Sequence, residues 1–353
     1  METAFLVLDK EEYKIHKKEY SDLMSKYYDN ISIYFMEYET LAVRKCKNIP
    51  LIGKALHHIG YWFIAARNAI YLYRKIPTTI ICVNSLVAIF LGLLNEKKHK
   101  IRIITYGFLF EPKNNSIYYS TRKKIAKRAL RGINKAGVAT RKEVETYKRI
   151  FGLENKFVFI PYGADYNAKP IEMRPENLKV KEYCISTGVS NRDYPTLISA
   201  YHKLQMGGKE ISPLCIMTAP YCLTGLDLSG IETIFESRLS AIKALVRDAK
   251  YIVMSLKDGE IGVGHTILLL SLRENTPILV NRIPSIEDYV DESKVKFFKS
   301  GDIEDLSNKM LEMESLDFSN VQTRSFYEEN YTEVKFIERL LNYSVNIEPL
   351  GEK

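Results

Sequence analysis

Two glycine-containing loops carry the residue types best suited to hold a phosphorylated ligand. The first reads STGVSNRD over residues 186–193. Gly188 lets backbone come close to a ligand, and Arg192 offers a planar fork of donors that fits phosphate oxygens. The same residues also make an ordinary turn, with Arg192 paired to Asp193 at a helix start. The second loop reads LKDGEIGVGHT over residues 256–266. Gly262 and Gly264 free its backbone, and His265 and Thr266 begin a helix. The first amides of a helix and its positive dipole end favour an anion, and the His265 and Thr266 side chains add donors. A plain flexible turn is the alternative there. A diphosphate held between the two loops is the simplest reading common to both. No G-K-[ST] follows, so this is not a Walker loop, and no G-x-G-x-x-G occupies the first strand–helix turn.

Both loops fall between a predicted strand and a predicted helix. Over the first half, short apolar runs at 4–8, 31–35, 78–83, 101–105, 137–140 and 157–161 alternate with helical stretches at 10–26, 85–94, 123–135 and 142–151. The rhythm restarts with strands at 183–186, 214–218, 231–235, 251–255, 277–281 and 295–298, and helices at 194–204, 238–248, 266–273, 286–289 and 303–313. One long amphipathic helix is expected over 324–342, with Tyr327, Tyr331, Val334, Ile337 and Leu341 on its apolar side. Such alternation means parallel sheets covered by helices on both faces. The two halves join at the polar stretch 163–177. Ligands in such sheets bind beyond the carboxyl ends of the strands, which is where both loops lie.

The 353 residues suit two domains of moderate size. With 46% hydrophobic and 27% charged residues, disorder, collagen and coiled coil are excluded. Cys46, Cys82, Cys184, Cys215 and Cys222 form no C-x-x-C pair and no metal-finger spacing, which points to a reducing compartment. The first ten residues lack the marks of a signal peptide. Residues 76–95 carry no charge, but Pro77, Asn84 and Ser85 divide them into a strand and a capped helix rather than a membrane span. The first 160 residues hold 29 Lys+Arg against 14 Asp+Glu, although the whole chain is only +8. That one-sided field suggests nucleic acid or an anionic membrane surface as a neighbour. The apolar, aromatic stretch 49–75, edged by Lys54, Arg67, Arg74 and Lys75, suits a lipid interface or one core helix. Lys123, Lys124, Lys127, Arg128 and Arg131 add to the same half, and no stacking motif supports nucleic acid.

Several segments, in order, resemble nucleotide-sugar glycosyltransferases of the GT-B fold, most closely the bacterial "group 1" (family 4-like) type. TRKEVETYKRIFG (140–152) resembles the segment before the family's domain crossover, and FIPYGAD (159–165) its I-P-x-G-x-D crossover. SNRDYPTLISA (190–200) resembles the donor-phosphate loop, which brings in Asn191 beside Arg192. GHTILLLSLRENTPILV (264–280) resembles G-H-T-x-x-L-E-A-L-x-x-G-x-P-V-I, and IEDYV (286–290) the element after it. The resemblance implies two Rossmann-like, doubly wound α/β domains facing across a cleft. Residues 1–165 would bind the acceptor and 166–323 the nucleotide sugar, with 324–353 packing back toward the first domain. It implies a UDP- or GDP-linked donor as co-substrate, no metal and no other cofactor. Glu260 would stand for the first of two family acids, a little too far upstream for a clean match, with Lys257 and Asp258 near the donor sugar or nucleotide. The second acid, which contacts the ribose in the family, falls on Leu270, and Asn275 stands where Gly is usual.

On the acceptor side, Tyr106 follows a predicted strand. Glu111 is the candidate base for an acceptor hydroxyl, or else an ordinary surface acid. The expected activity is transfer of a sugar to a glycan or lipid-linked acceptor in polysaccharide or glycoconjugate synthesis, by a cytoplasmic enzyme, either free or peripheral on the membrane's inner face. The alternatives are a weakly active or inactive binding protein of the same fold, or a sugar-nucleotide epimerase. Glu260 and Asp258 are the acids near the loop that an epimerase could use.

Overall fold

The computed structural model describes the chain except residues 1, 10, 37–39, 48, 51, 99, 111–115, 167–177, 179, 236–237, 319–321 and 347–353. The chain forms two compact units, Met1–Ile160 with Glu333–Lys353, and Pro161–Thr332.

In the first unit, β1 (Thr3–Leu8) leads through a 3-10 turn into α1 (Lys17–Met24), followed by β2 (Asn30–Phe35), α2 (Leu41–Cys46) and α3 (Gly53–Arg74). Then come β3 (Thr79–Cys82), α4 (Ser85–Asn95), β4 (Arg102–Tyr106), α5 (Ser116–Arg131), β5 (Lys135–Val138), α6 (Arg141–Phe151) and β6 (Phe157–Phe159). The six strands are parallel in the order β2-β1-β3-β4-β5-β6. Asn84 caps α4 by accepting from the Val87 amide at 3.0 Å, and α4 buries Leu86, Val87, Ala88 and Leu91 in the core. Among the described residues no helix is long and apolar enough to cross a membrane. The helix expected at 123–135 begins earlier and stops at Arg131, and Lys135 already belongs to β5. A capping box of Thr140 and Glu143 starts α6, and Gly152 in the left-handed region ends it.

In the second unit, β7 (Cys184–Thr187), α7 (Tyr194–Met206), β8 (Leu214–Met217), β9 (Glu232–Ile234), α8 (Leu239–Arg247), β10 (Tyr251–Met254) and α9 (His265–Glu274) follow one another. They are succeeded by β11 (Ile278–Asn281), α10 (Pro284–Glu287), β12 (Lys296–Phe298), α11 (Ile303–Ser315) and α12 (Arg324–Asn330). This sheet is also parallel, ordered β12-β11-β10-β7-β8-β9. Strand order therefore reverses between β7 and β10, where a crevice opens at the strands' carboxyl ends. Glu314 on α11 braces this unit. It accepts from the Ser212 amide at 3.0 Å, Lys250 Nζ at 2.6 Å and the Tyr251 hydroxyl at 2.8 Å.

The long helix expected over 324–342 is interrupted. α12 ends at Asn330, and α13 (Glu333–Val345) belongs to the first unit. Tyr331 leaves helical geometry, its carbonyl accepts from the Ala164 amide at 3.0 Å, and its hydroxyl donates to the Tyr289 carbonyl. Beyond the break, Phe336, Ile337, Leu340 and Leu341 of α13 are buried, and the Tyr28 hydroxyl bonds Ser344 Oγ at 2.7 Å.

Candidate functional site

The loops after β7 and β10 are laced together by backbone. The Asp193 amide donates to the Ser255 carbonyl and the Lys257 amide to the Asn191 carbonyl, both at 2.9 Å. Arg192 and Leu256 form an antiparallel bridge between them. The two stretches picked out from sequence are thus one wall at the reversal point of the sheet.

Gly188 has φ +120, and a Cβ there would lie 2.3 Å from an Arg192 guanidinium nitrogen. Only glycine lets the guanidinium lie flat over this turn. Arg192 Nε donates to the Thr187 carbonyl at 2.8 Å and Nη1 to the Ser190 carbonyl at 2.9 Å. Its pairing with Asp193 is not what holds it. Asp193 instead caps α7, accepting from the Thr196 amide and hydroxyl. The Arg192 side chain is half-buried and burial lowers its pKa, so an incoming anion relieves part of that penalty. The Gly188 carbonyl is turned inward by two donors, the Tyr194 hydroxyl at 2.6 Å and the Thr218 hydroxyl at 2.8 Å. Asn191 takes positive φ and is exposed.

On the other side of the wall, Gly264 caps α9 in the left-handed region with φ +85, and no side chain caps this helix start. The first amides of α9 keep their outward donors for a ligand. Thr266 is exposed beside them. His265 departs from its expected role. Its ring is buried, stacks on Tyr289 at 4.3 Å, and Nε2 donates to the Ser285 carbonyl at 3.0 Å. Burial pushes its pKa down to about 4, so the ring is neutral and its remaining nitrogen is an acceptor. His265 can offer an anion its backbone amide, not its side chain.

Lys257, Asp258 and Glu260 lie exposed on the loop between β10 and α9. Leu270 is fully buried in α9, an apolar side chain with no hydrogen-bonding group. Asn275 replaces glycine without loss of the turn. It adopts φ +57, a region Asn tolerates, and its Oδ1 accepts from the Thr323 and Arg324 amides at 2.9 and 2.8 Å.

A cavity of about 440 Å³ adjoins the first loop, bounded by Gly188, Val189, Thr218, Pro220 and Phe235. Its size suits a nucleobase or sugar. The sequence analysis singled out no residue in the loop after β8. Asn281 was also missed. It closes the apolar strand β11 and holds Leu256 through its side chain, from the amide at 2.9 Å and to the carbonyl at 2.8 Å. A polar residue ending an apolar strand was the available signal.

In the first unit, Tyr106 is buried against Phe336 at 4.5 Å and beside Gly137. It is a packing residue there, which does not suit the acceptor contact expected of it. Glu111 lies outside the described residues. Lys124, Lys127, Arg128 and Arg131 line a basic hollow with Lys156. It lies near the amino ends of β5 and β6, away from the strands' carboxyl ends.

No family model matches the chain, and no curated protein does. Solved structures do. A glycosyltransferase from Rickettsia africae aligns at 13% identity with TM-score 0.62 over 97% of both chains. HepE of Anabaena, solved with UDP, aligns at 10% identity and TM-score 0.61, over 98% of this chain and 99% of its own. A UDP-forming trehalose-phosphate synthase from Burkholderia vietnamiensis aligns at 10% and 0.60, over 98% and 97%. With its two parallel six-stranded sheets, the chain has the GT-B fold.

Proposed function

We propose that the protein is a glycosyltransferase that moves a sugar from a nucleoside diphosphate donor to a glycan or lipid-linked acceptor, and that its second unit holds the donor. The observation that carries this reading is the laced wall, with Arg192 and the uncapped start of α9 at the sheet's reversal point. The diphosphate lies against the Arg192 fork, the Gly188 turn and the His265 and Thr266 amides, with Asn191 at its edge. The nucleobase takes the cavity between Val189 and Phe235, and a UDP- or GDP-linked sugar is the donor class. HepE binding UDP supports that class.

As the glycosidic bond breaks, negative charge grows on the diphosphate. A fixed guanidinium and helix amides stabilise it without reorganising, which is usually the largest part of such catalysis. These groups supply positive charge that a metal would otherwise bring. Glu260, with Lys257 and Asp258, approaches the donor sugar from the β10–α9 loop. Glu111 remains the proposed base on the acceptor side.

The test is a panel of UDP-, GDP-, CMP- and dTDP-sugars, following thermal stability and slow donor hydrolysis. One nucleotide class is expected to stabilise the protein and lose its sugar to water. A folded protein that answers to none of them contradicts the reading. Binding without hydrolysis or transfer favours the inactive alternative, which the buried Leu270 supports.

A further inference from the structure

α3 is apolar on two faces. One face buries Ile64, Ala65, Ala69 and Leu72 in the first unit's core. The other exposes Ile52, Leu56, Ile59, Phe63 and Ile70, with Ile59 at 66% and Phe63 at 68%. Their spacing of four, three, four and seven makes one continuous stripe. An exposed apolar stripe of this length marks a surface that meets a partner or a membrane. No described helix can span a bilayer, so a bilayer would meet this one at its interface.

A groove of about 180 Å³ opens between α3, α4 and α5. Tyr61 and Trp62 of α3, Leu86 and Ile89 of α4, Phe108–Phe110 after β4 and Ile125 of α5 line it. It lies near the carboxyl ends of β3 and β4, the end of a parallel sheet where ligands bind. Leu109, which lines it, is exposed, as are Ile117 and Tyr118 at the start of α5. Arg122 sits at the groove, its guanidinium 4.9 Å from the Phe110 ring centre and 5.5 Å from that of Tyr118.

Charge settles which occupant fits. α3 contains no acidic residue and carries Lys54, Arg67 and Arg74, and Arg122 of α5 stands at the groove. A second copy of this surface would bring like charges together. An anionic bilayer would instead attract the cations while its hydrocarbon covered the stripe.

We propose that the groove takes a hydrocarbon chain of a membrane-anchored acceptor bearing an anionic headgroup, with the α3 stripe seated in the bilayer interface. This rests on the transferase reading for the word acceptor, and its test does not.

The chain has a single tryptophan, Trp62, and it lies in the groove. Its emission therefore reports directly on occupancy. With phosphatidylglycerol vesicles, emission should shift to the blue and be quenched by bromine on the acyl chains. Phosphatidylcholine vesicles should bind at least tenfold more weakly. Phe63→Asp, at an exposed position that leaves the core intact, should weaken vesicle binding at least tenfold and keep nucleotide binding unchanged. Retention on anionic vesicles with Trp62 unshifted and unquenched would overturn the proposal, leaving charge adsorption alone. So would a shift of Trp62 emission without lipid that tracks a doubling of mass, since the stripe would then join two copies. If UDP and GDP fail to bind while Trp62 is quenched, the transferase reading falls and the lipid site stands.

Discussion

Replacing Arg192 with alanine should remove most nucleotide affinity without unfolding the second unit. The guanidinium spends two donors on the Thr187 and Ser190 carbonyls, leaving the rest of the fork for phosphate oxygens. A charge-assisted hydrogen bond contributes about 1.5–3 kcal/mol. One such bond lost raises Kd by ~10- to 150-fold, since ~1.4 kcal/mol is tenfold. At a ligand concentration near 100 times the wild-type Kd, the wild type gains about 2.7 kcal/mol of stability. With Kd raised ~30-fold, the variant gains under ~1 kcal/mol at the same concentration. Isothermal titration with UDP and GDP measures the first number, and ligand-dependent unfolding the second. Arg192→Lys should recover only part of the loss, because a single ammonium cannot reproduce the fork. An alanine variant whose Kd stays within twofold of wild type would refute the assignment of the diphosphate to this wall.

Three further outcomes follow from the same geometry. Gly264→Ala places a Cβ 2.9 Å from Leu256 Cδ1 at φ +85, so it should cost ~1–3 kcal/mol and weaken nucleotide binding, read by urea unfolding and titration. His265 has a folded pKa of about 4 because burial disfavours its charged form. The unfolded state therefore takes up the proton first, and stability present above pH ~6.5 falls by ~3 kcal/mol as pH drops to ~4; His265→Gln should flatten that part of the urea-midpoint profile, and parallel profiles would contradict it. Glu314→Ala removes the acceptor of the buried Tyr251 hydroxyl and the carboxylate partner of the half-buried Lys250 ammonium, an expected loss of ~1–3 kcal/mol in a unit whose Arg192 is untouched, measured by denaturant titration.

Much of the fold was legible because its signals are local. Short apolar runs marked both sheets' strands in order, and Asn84 marked the start of α4, whereas α2 was not expected. That the loops after β7 and β10 follow strands and precede helices was legible for the same reason, and the structure laces the two together. What sequence could not show depends on partners far along the chain. The His265 ring looked like a donor until Tyr289 and Ser285 were brought against it. Tyr106 looked like a cleft residue until Phe336 covered it. The apolar spacing of 324–342 is real, but Tyr331 spends its carbonyl and hydroxyl within the second unit, so a single periodic run serves two cores. Leu256 is held by Asn281, 25 positions away, and no local pattern announces that pairing.

The most direct test of the central claim is a crystal structure of the protein with the nucleoside diphosphate that the donor panel selects. The account predicts both phosphates within hydrogen-bonding distance of the Arg192 guanidinium and the His265 and Thr266 amides, with the base in the cavity beside Val189 and Phe235. Phosphates bound elsewhere on the chain, with this wall empty, would contradict it.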